Sequence, residues 1–332
     1  MLLKNRNGTE LDLQLFSGKS EVNNAINCLL SVFGSKENYY HPERFDAEYL
    51  ENEIEKGNLV LYVGKTKEDG VSVPVITISL LKSLYFNKAY EFSTLAVYEK
   101  YRGFHASEAF TKMVLEDITK KGESLFYAYA VMFHPHSTIT LYENGFVPTG
   151  FVPGISRADK FLSQLKLNSQ KHTYAIFVKN DKTVTLEPIY VPLQLADLTR
   201  EVYESLGESP VIETAGDSAA RTVTEHNYDS INETLFVYVF ECGTDLPDTV
   251  NRLQVEYNTS LFSSIIFLNI NEPSAVYGFE VLKNLGYAFN GFMPLCGKCE
   301  FAVFTKTDGV YIDYDELQMT DELKSFYERI KG

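Results

Sequence analysis

The sequence holds no tryptophan and only four cysteines in 332 residues. Four thiols (Cys28, Cys242, Cys296 and Cys299) in a chain of this size do not make a disulfide scaffold, which small secreted domains build from dense, paired cysteines. No run of about 18 uninterrupted apolar residues occurs, so no membrane span is expected. Residues 1–15 carry Lys4, Arg6, Glu10 and Asp12 without a continuous apolar core, so no signal peptide is read there. Positive charge is also scarce: 30 Lys and Arg stand against 45 Asp and Glu, a formal net charge of −15. An acidic surface repels phosphate backbones and anionic lipid, which argues against nucleic acid and membranes as partners. The default expectation is a soluble, cytoplasmic protein. The same charge suits a cationic or amine acceptor, although acidity also serves plain solubility.

What is present is apolar and aromatic. Hydrophobic residues make up 45% of the chain, with 22 Tyr and 23 Phe, enough to bury a sizeable core. The length suits two domains of about 150 residues each. In the first half, residues 11–16 alternate as a short strand and residues 22–33 carry helical apolar spacing. Residues 35–44 form a polar, aromatic loop broken by Pro42, and a second helix over 50–54 stops at Gly57. Strand-like runs follow at 59–64, 73–81 and 89–97. From Ala106 the apolar positions 106, 109, 110, 113, 114 and 118 match the stripe of a helix lying on a sheet, and Gly122 ends it. A strand at 125–133, a short helix at 138–144 and strands at 146–152 and 173–178 complete a mixed α+β sheet domain.

After Lys179-Asn180-Asp181-Lys182, a polar linker candidate, the chain echoes itself at an offset of 141 residues. Gly145-Phe146, Gly150-Phe151 and Pro153 match Gly286-Tyr287, Gly291-Phe292 and Pro294. Strand, helix and strand signals at 235–240, 249–257 and 265–270 repeat the order of the first half, which reads as a tandem duplication.

The segment Leu95-Ala96-Val97-Tyr98-Glu99-Lys100-Tyr101-Arg102-Gly103-Phe104-His105-Ala106-Ser107 reads as strand, tight loop and helix start. A helix N-terminus presents unpaired N–H groups and partial positive charge, and so holds anions. Arg102 adds charge, and the small residues after it let the backbone approach a pyrophosphate. This segment resembles the acetyl-CoA motif of the GNAT N-acetyltransferase superfamily, Arg/Gln-x-x-Gly-x-Gly/Ala after a Val-rich strand. Arg102 matches the Arg, His105 stands at the first motif glycine and Ser107 at the Gly or Ala. Downstream, His134-Pro135-His136-Ser137-Thr138-Ile139-Thr140-Leu141-Tyr142-Glu143-Asn144-Gly145-Phe146 resembles the family's Leu-Tyr-x-x-x-Gly-Phe segment. Together the two resemblances cover residues from about 10 to 178.

The resemblance implies direct acetyl transfer from acetyl-CoA to an amine of a small molecule or peptide, with no metal and no covalent intermediate. It implies cofactor contacts from Leu95, Ala96, Val97, Arg102, Gly103, Phe104, His105, Ala106 and Ser107. Tyr142 would protonate the departing thiolate. Glu91, on the strand face of Ser93, Leu95 and Val97, would act as base, and a backbone N–H near 95–97 would hold the carbonyl oxygen. Tyr39, Tyr40 and His134 would line the acceptor pocket.

Blander readings stand beside these. Tyr142 also suits a core aromatic, Glu91 a solvated strand residue, and His134 and His136 structural strand-end histidines. Cys296-Gly297-Lys298-Cys299 lacks the second pair that a zinc site needs, and lies between strand-like runs rather than at a helix start. At the place of the phosphate loop the second half reads Glu241-Cys242-Gly243-Thr244-Asp245-Leu246-Pro247-Asp248, whose aspartates repel a pyrophosphate. The expectation is therefore two GNAT-like α+β domains, catalytic at 1–179 and degenerate at 183–332. An inactive acetyl-CoA sensor and a cofactor-free interaction module are the competing classes. Acceptor identity and oligomeric state are left open.

Overall fold

A computed structural model of the chain describes residues 1–39, 41–83, 89–160, 167–295 and 299–331. Two short strands, β1 (Leu2–Lys4) and β2 (Glu10–Asp12), precede β3 (Gln14–Ser17), α1 (Val22–Phe33) and α2 (Ala47–Glu55). The helix expected over 50–54 starts earlier because Asp46 caps it, its carboxylate accepting from the N–H groups of Glu48 and Tyr49. Then come β4 (Leu59–Glu68), β5 (Val71–Lys82), β6 (Ala89–Val97), α3 (Ala106–Lys120), β7 (Leu125–Val131), α4 (His136–Glu143), β8 (Val147–Arg157) and β9 (Lys171–Asn180). The second half holds β10 (Ile189–Tyr190), α5 (Ala196–Ser205), β11 (Ile212–Glu213), β12 (Val223–Asp229) and β13 (Thr234–Glu241). It continues with α6 (Leu246–Tyr257), β14 (Ser263–Asn269), α7 (Ala275–Asn284), β15 (Ala288–Met293), β16 (Phe301–Lys306) and α8 (Asp321–Lys331). The fold is α+β with a large mixed sheet, as expected. No described helix is long and apolar enough to cross a membrane.

Twelve strands form one sheet in the order β12-β13-β14-β16-β15-β8-β9-β7-β6-β5-β4-β3. Helices cover both faces of its first half. On β4, Leu59, Leu61 and Val63 pack with Val22 and Ala25 of α1 and Leu50 of α2. Tyr62, between them, points the other way and joins the core that holds Phe110, Val114 and Ile118 of α3.

The joint at the centre of the sheet is narrow. β8 and β15 pair antiparallel at one register position, Gly150 opposite Gly291. Counted outward from that joint, the second half runs β15-β16-β14-β13-β12 and the first β8-β9-β7-β6-β5. The two glycines are also the pair that the 141-residue echo aligns. They are glycines for a steric reason. A Cβ on Gly291 would lie 2.5 Å from the Gly150 Cα and from the Thr149 carbonyl oxygen, and Gly291 has φ 104.

A second tie is polar. Lys171 is fully buried, and its ammonium donates to the Glu233 carbonyl (3.1 Å), Thr234 Oγ1 (2.8 Å) and Ser263 Oγ (3.0 Å). Arg157 Nη1 donates to Glu233 Oε1 at 2.8 Å. The start of β9 and the end of β8 thus hold the turn that enters β13. Desolvation pulls the Lys171 amine down to about 7, against the nearby charges of Glu233 and Asp229.

Two outcomes follow from these ties. Gly291→Ala forces the central strands apart and is expected to lower the unfolding free energy by about 2 kcal/mol or more, read as a fall in the urea midpoint. The Lys171 amine titrates lower folded than unfolded, so between about pH 7 and 10 the unfolded chain binds the extra proton and stability rises with pH. The slope approaches roughly 1.4 kcal/mol per pH unit inside that window. Urea midpoints at pH 7 and pH 9 should therefore differ more in the parent than in Lys171→Met.

Candidate active site

β6 and β7 run parallel but pair at three positions only: Ala89 with Leu125, Tyr90 with Phe126 and Glu91 with Tyr127. Past Glu91 the strands part. The register of β6 on β5 shifts between Thr77 and Ser79, opposite Thr94, whose φ of 57 is left-handed. A β-branched residue in that region is strained, and such a bulge adds twist to its strand. It turns the end of β6 away from β7 and leaves a backbone edge without a strand partner. A cavity of about 1440 Å³ opens in the gap. Residues of α1 and the 39–53 segment line it on one side of the sheet, and α3 and α4 on the other.

The bulge also corrects one expectation. Glu91 was expected to share a face with Leu95 and Val97. Instead Ala96 packs with Leu29, Phe33 and Tyr39 on the α1 side, whereas Val97 packs against the core on the α3 side. Strict alternation fails across one extra residue.

The loop before α3 faces the cavity through Arg102, Gly103, His105, Ala106 and Ser107, and the strand through Leu95, Ala96 and Val97. Gly103 (φ 86) and His105 (φ 54) are both left-handed. His105 is the N-cap residue, and no side chain caps the helix. The first N–H groups of α3 therefore lack protein acceptors on the side where the cavity lies. Phe104 departs from the expectation: its side chain is 8% exposed in the core and does not line the cavity. Turning it inward is what anchors the loop. One carboxylate sits in the first turn, where Ser107 Oγ donates to Glu108 Oε2 at 3.0 Å. It offsets part of the positive end of α3.

Glu91 lines the cavity on the α1 side and accepts from the Tyr127 hydroxyl at 3.4 Å. Burial raises its carboxyl above the usual range, against the opposing charges of His41 and Arg44. Tyr39 lines the same region, its ring 4.5 Å from that of Phe33. Tyr40 lies outside the described residues. His134 lines the cavity beside α4. Burial, then the neighbouring His136, lowers it to about 4, so it is neutral at pH 7, and its Nδ1 has no hydrogen-bond partner.

Tyr142 is not brought to the site. His136, Ser137, Thr140 and Leu141 are the α4 residues that line the cavity. Tyr142 packs edge-on to Phe177 at 5.1 Å, and burial pushes its hydroxyl up to about 12. The cause is legible in the sequence. Only Glu143 and Asn144 separate Tyr142 from Gly145, one residue fewer than in the family's segment. One residue turns a helical side chain by about 100°, enough to carry Tyr142 off the cavity face.

Sequence reasoning missed the far wall. Asn227, Asp229, Asn232, Phe236, Tyr238 and Phe267 of the second half line the same cavity. No motif marks them, because the topology brings them there. The second half opens no slot of its own, since β13 and β14 pair without a break from Thr234–Ser263 to Val239–Leu268. Among the described residues no group of three or more His, Cys, Asp or Glu could hold a metal ion; Cys296 lies outside them.

No family model matches the chain, and no curated protein does. Among solved structures, it is similar to spermidine N-acetyltransferase from Vibrio cholerae in complex with CoA and spermine. That match has 15% identity over 50% of this chain and 94% of that one, with a TM-score of 0.39. The ribosomal alpha-N-protein acetyltransferase RimL in its apo form shows 14% identity over 52% of this chain and 95% of that one, at a TM-score of 0.38. At such likeness, the reading of the site rests on this chain's own residues.

His105 holds a conformation that favours glycine. His105→Gly relieves roughly 1 kcal/mol of backbone strain and is expected to raise the urea midpoint at unchanged denaturant slope.

Proposed function

We propose that this protein transfers an acetyl group from acetyl-CoA to an amine. The observation that carries this reading is the opening between β6 and β7 with the uncapped start of α3 at its mouth. The residues fit the donor. Unpaired N–H groups at Ala106 and Ser107, together with Arg102, suit a pyrophosphate. The unpaired edge of β6 offers N–H and C=O groups to the amides of the pantetheine arm. When bound, the thioester supplies the electrophilic carbonyl.

The protein's own residues then have two tasks. Glu91 takes a proton from the ammonium of the acceptor, a role suited to a carboxylate whose proton affinity burial has raised. A backbone N–H of the Leu95–Val97 edge would hold the carbonyl oxygen. A side-chain acid is dispensable, because a thiol titrates near 8.5 and its thiolate leaves readily at neutral pH. Tyr142 is therefore given no part. The first half, 1–179, is read as the catalytic domain and 183–332 as a non-catalytic partner that completes the cavity.

Release of free CoA thiol in the presence of amines tests the reading. Glu91→Gln is expected to lower kcat by about 10²–10⁴ and to leave CoA affinity by calorimetry within twofold. The acidic limb of the rate profile should lie above the ordinary carboxylate range and vanish in that variant. Tyr142→Phe should retain the parent rate. CoA binding without thiol release from any amine would instead mark an acetyl-CoA sensor, and no binding at millimolar CoA would sink both.

A further inference from the structure

The acceptor side of the cavity has a definite chemistry, and it comes from both halves of the chain. Glu91 and Tyr127 sit where β6 and β7 begin to part. From there, Tyr129 and Tyr174 belong to one cluster with Val131, Phe133 and Ile155. The rings of Tyr127 and Tyr129 meet edge to face at 5.8 Å. Opposite them stand Phe236 and Tyr238, two residues apart on β13 and so on one face of it. Tyr238 stacks on Phe267 of β14 at 5.0 Å and 11°. The rings of Tyr127, Tyr129, Tyr174, Phe236, Tyr238 and Phe267 all line the cavity. The Tyr127 hydroxyl, raised chiefly by burial, also feels Glu91, Tyr129 and Tyr238, which puts the second half's aromatic wall beside the proposed base.

The carboxylates on this side are not equivalent. Glu43 faces His41 Nδ1 at 3.1 Å. Glu53 is taken by Lys56 Nζ at 2.8 Å and Asn58 Nδ2 at 2.9 Å. Asp229 accepts from the N–H groups of Ile231 (3.0 Å) and Asn232 (3.1 Å) and from Asn232 Nδ2 (2.7 Å). Glu91 accepts from the Tyr127 hydroxyl at 3.4 Å and has the Ser93 hydroxyl beside it, but it takes no backbone N–H and no ion pair among the described residues. One carboxylate is left without an N–H or cationic partner, and the rings of Tyr127, Tyr129, Tyr174, Phe236 and Tyr238 stand around the same chamber.

We infer that the acceptor is a monoamine carried on an aromatic or branched apolar body, with its ammonium at Glu91 and its body between Tyr129 and the wall of Phe236 and Tyr238. This rests on the acetyl-transfer reading and names its substrate class. A ring-faced chamber attracts a cation and buries an apolar body together. A linear polyamine would need further open carboxylates along its length, and each candidate is already engaged. Phe236 and Tyr238 are thereby specificity-determining residues, supplied by the half that lacks a phosphate loop.

The test compares 2-phenylethylamine, spermidine and ethanolamine as acceptors with acetyl-CoA, by kcat/KM from thiol release, beside CoA affinity by calorimetry. The parent is expected to favour 2-phenylethylamine over both others by at least tenfold. Phe236→Ala and the milder Phe236→Leu should lower kcat/KM for 2-phenylethylamine by about tenfold and threefold. The rate with ethanolamine should fall by less than the rate with 2-phenylethylamine, and the affinity for CoA should stay within twofold, which also reports that the variants fold. Spermidine turned over as well as 2-phenylethylamine, or Phe236 variants that slow every amine equally, would overturn the inference and leave acetyl transfer standing. Absence of CoA binding would overturn the acetyl-transfer reading itself, and with it this one.

Discussion

Parallel strands that stop pairing leave a row of backbone N–H and C=O groups that must find other partners, and the site of this protein grows from that constraint. Three rungs hold β6 to β7, and after Glu91 the ladder ends. The left-handed Thr94 is what ends it. One strained residue thus does several things together. It opens a gap through the sheet, bares a polar edge along it, and leaves Glu91 at the fork, where burial alters its proton affinity. The loop after β6 then delivers the start of α3 to the mouth of the same gap.

The second half makes the comparison from within one chain. β13 and β14 occupy the places of β6 and β7 counted from the central joint, yet pair over their length. With its ladder closed, that half has no gap to fill. Its use lies in its surface: the ring-bearing face of β13 and β14 closes a chamber that the first half leaves open. The buried Lys171 and the ion-paired Arg157 hold the turn entering β13 in place, so the far wall is fixed to the start of β9 and the end of β8 and does not float on a linker.

Much of this was legible in the sequence, and the failures have physical causes. The strand–loop–helix at 89–120 is local, and local periodicity and capping chemistry record it well. Glu91 came from the family resemblance, and the strand face assigned to it was wrong beyond Ser93 because no residue type announces a bulge at Thr94. Tyr142 failed through a single missing residue in a helix-to-strand connection, visible in the letters and overlooked in the pattern. Phe104 sat inside a motif but served the core. Phe236, Tyr238 and Phe267 were invisible because only the course of a twelve-stranded sheet brings them to the cavity that Tyr129 also lines.

Gly150 and Gly291 carry a consequence of another kind. Each is the empty space that its partner's backbone occupies, so neither position can drift alone: a side chain gained on one strand must be matched by retreat of the other. Two halves that differ in loop, in ladder and in charge are held to the same small residue at this one contact. The chain is free to specialise outward from its centre, toward a fork on one flank and a wall on the other, only because the centre itself cannot change.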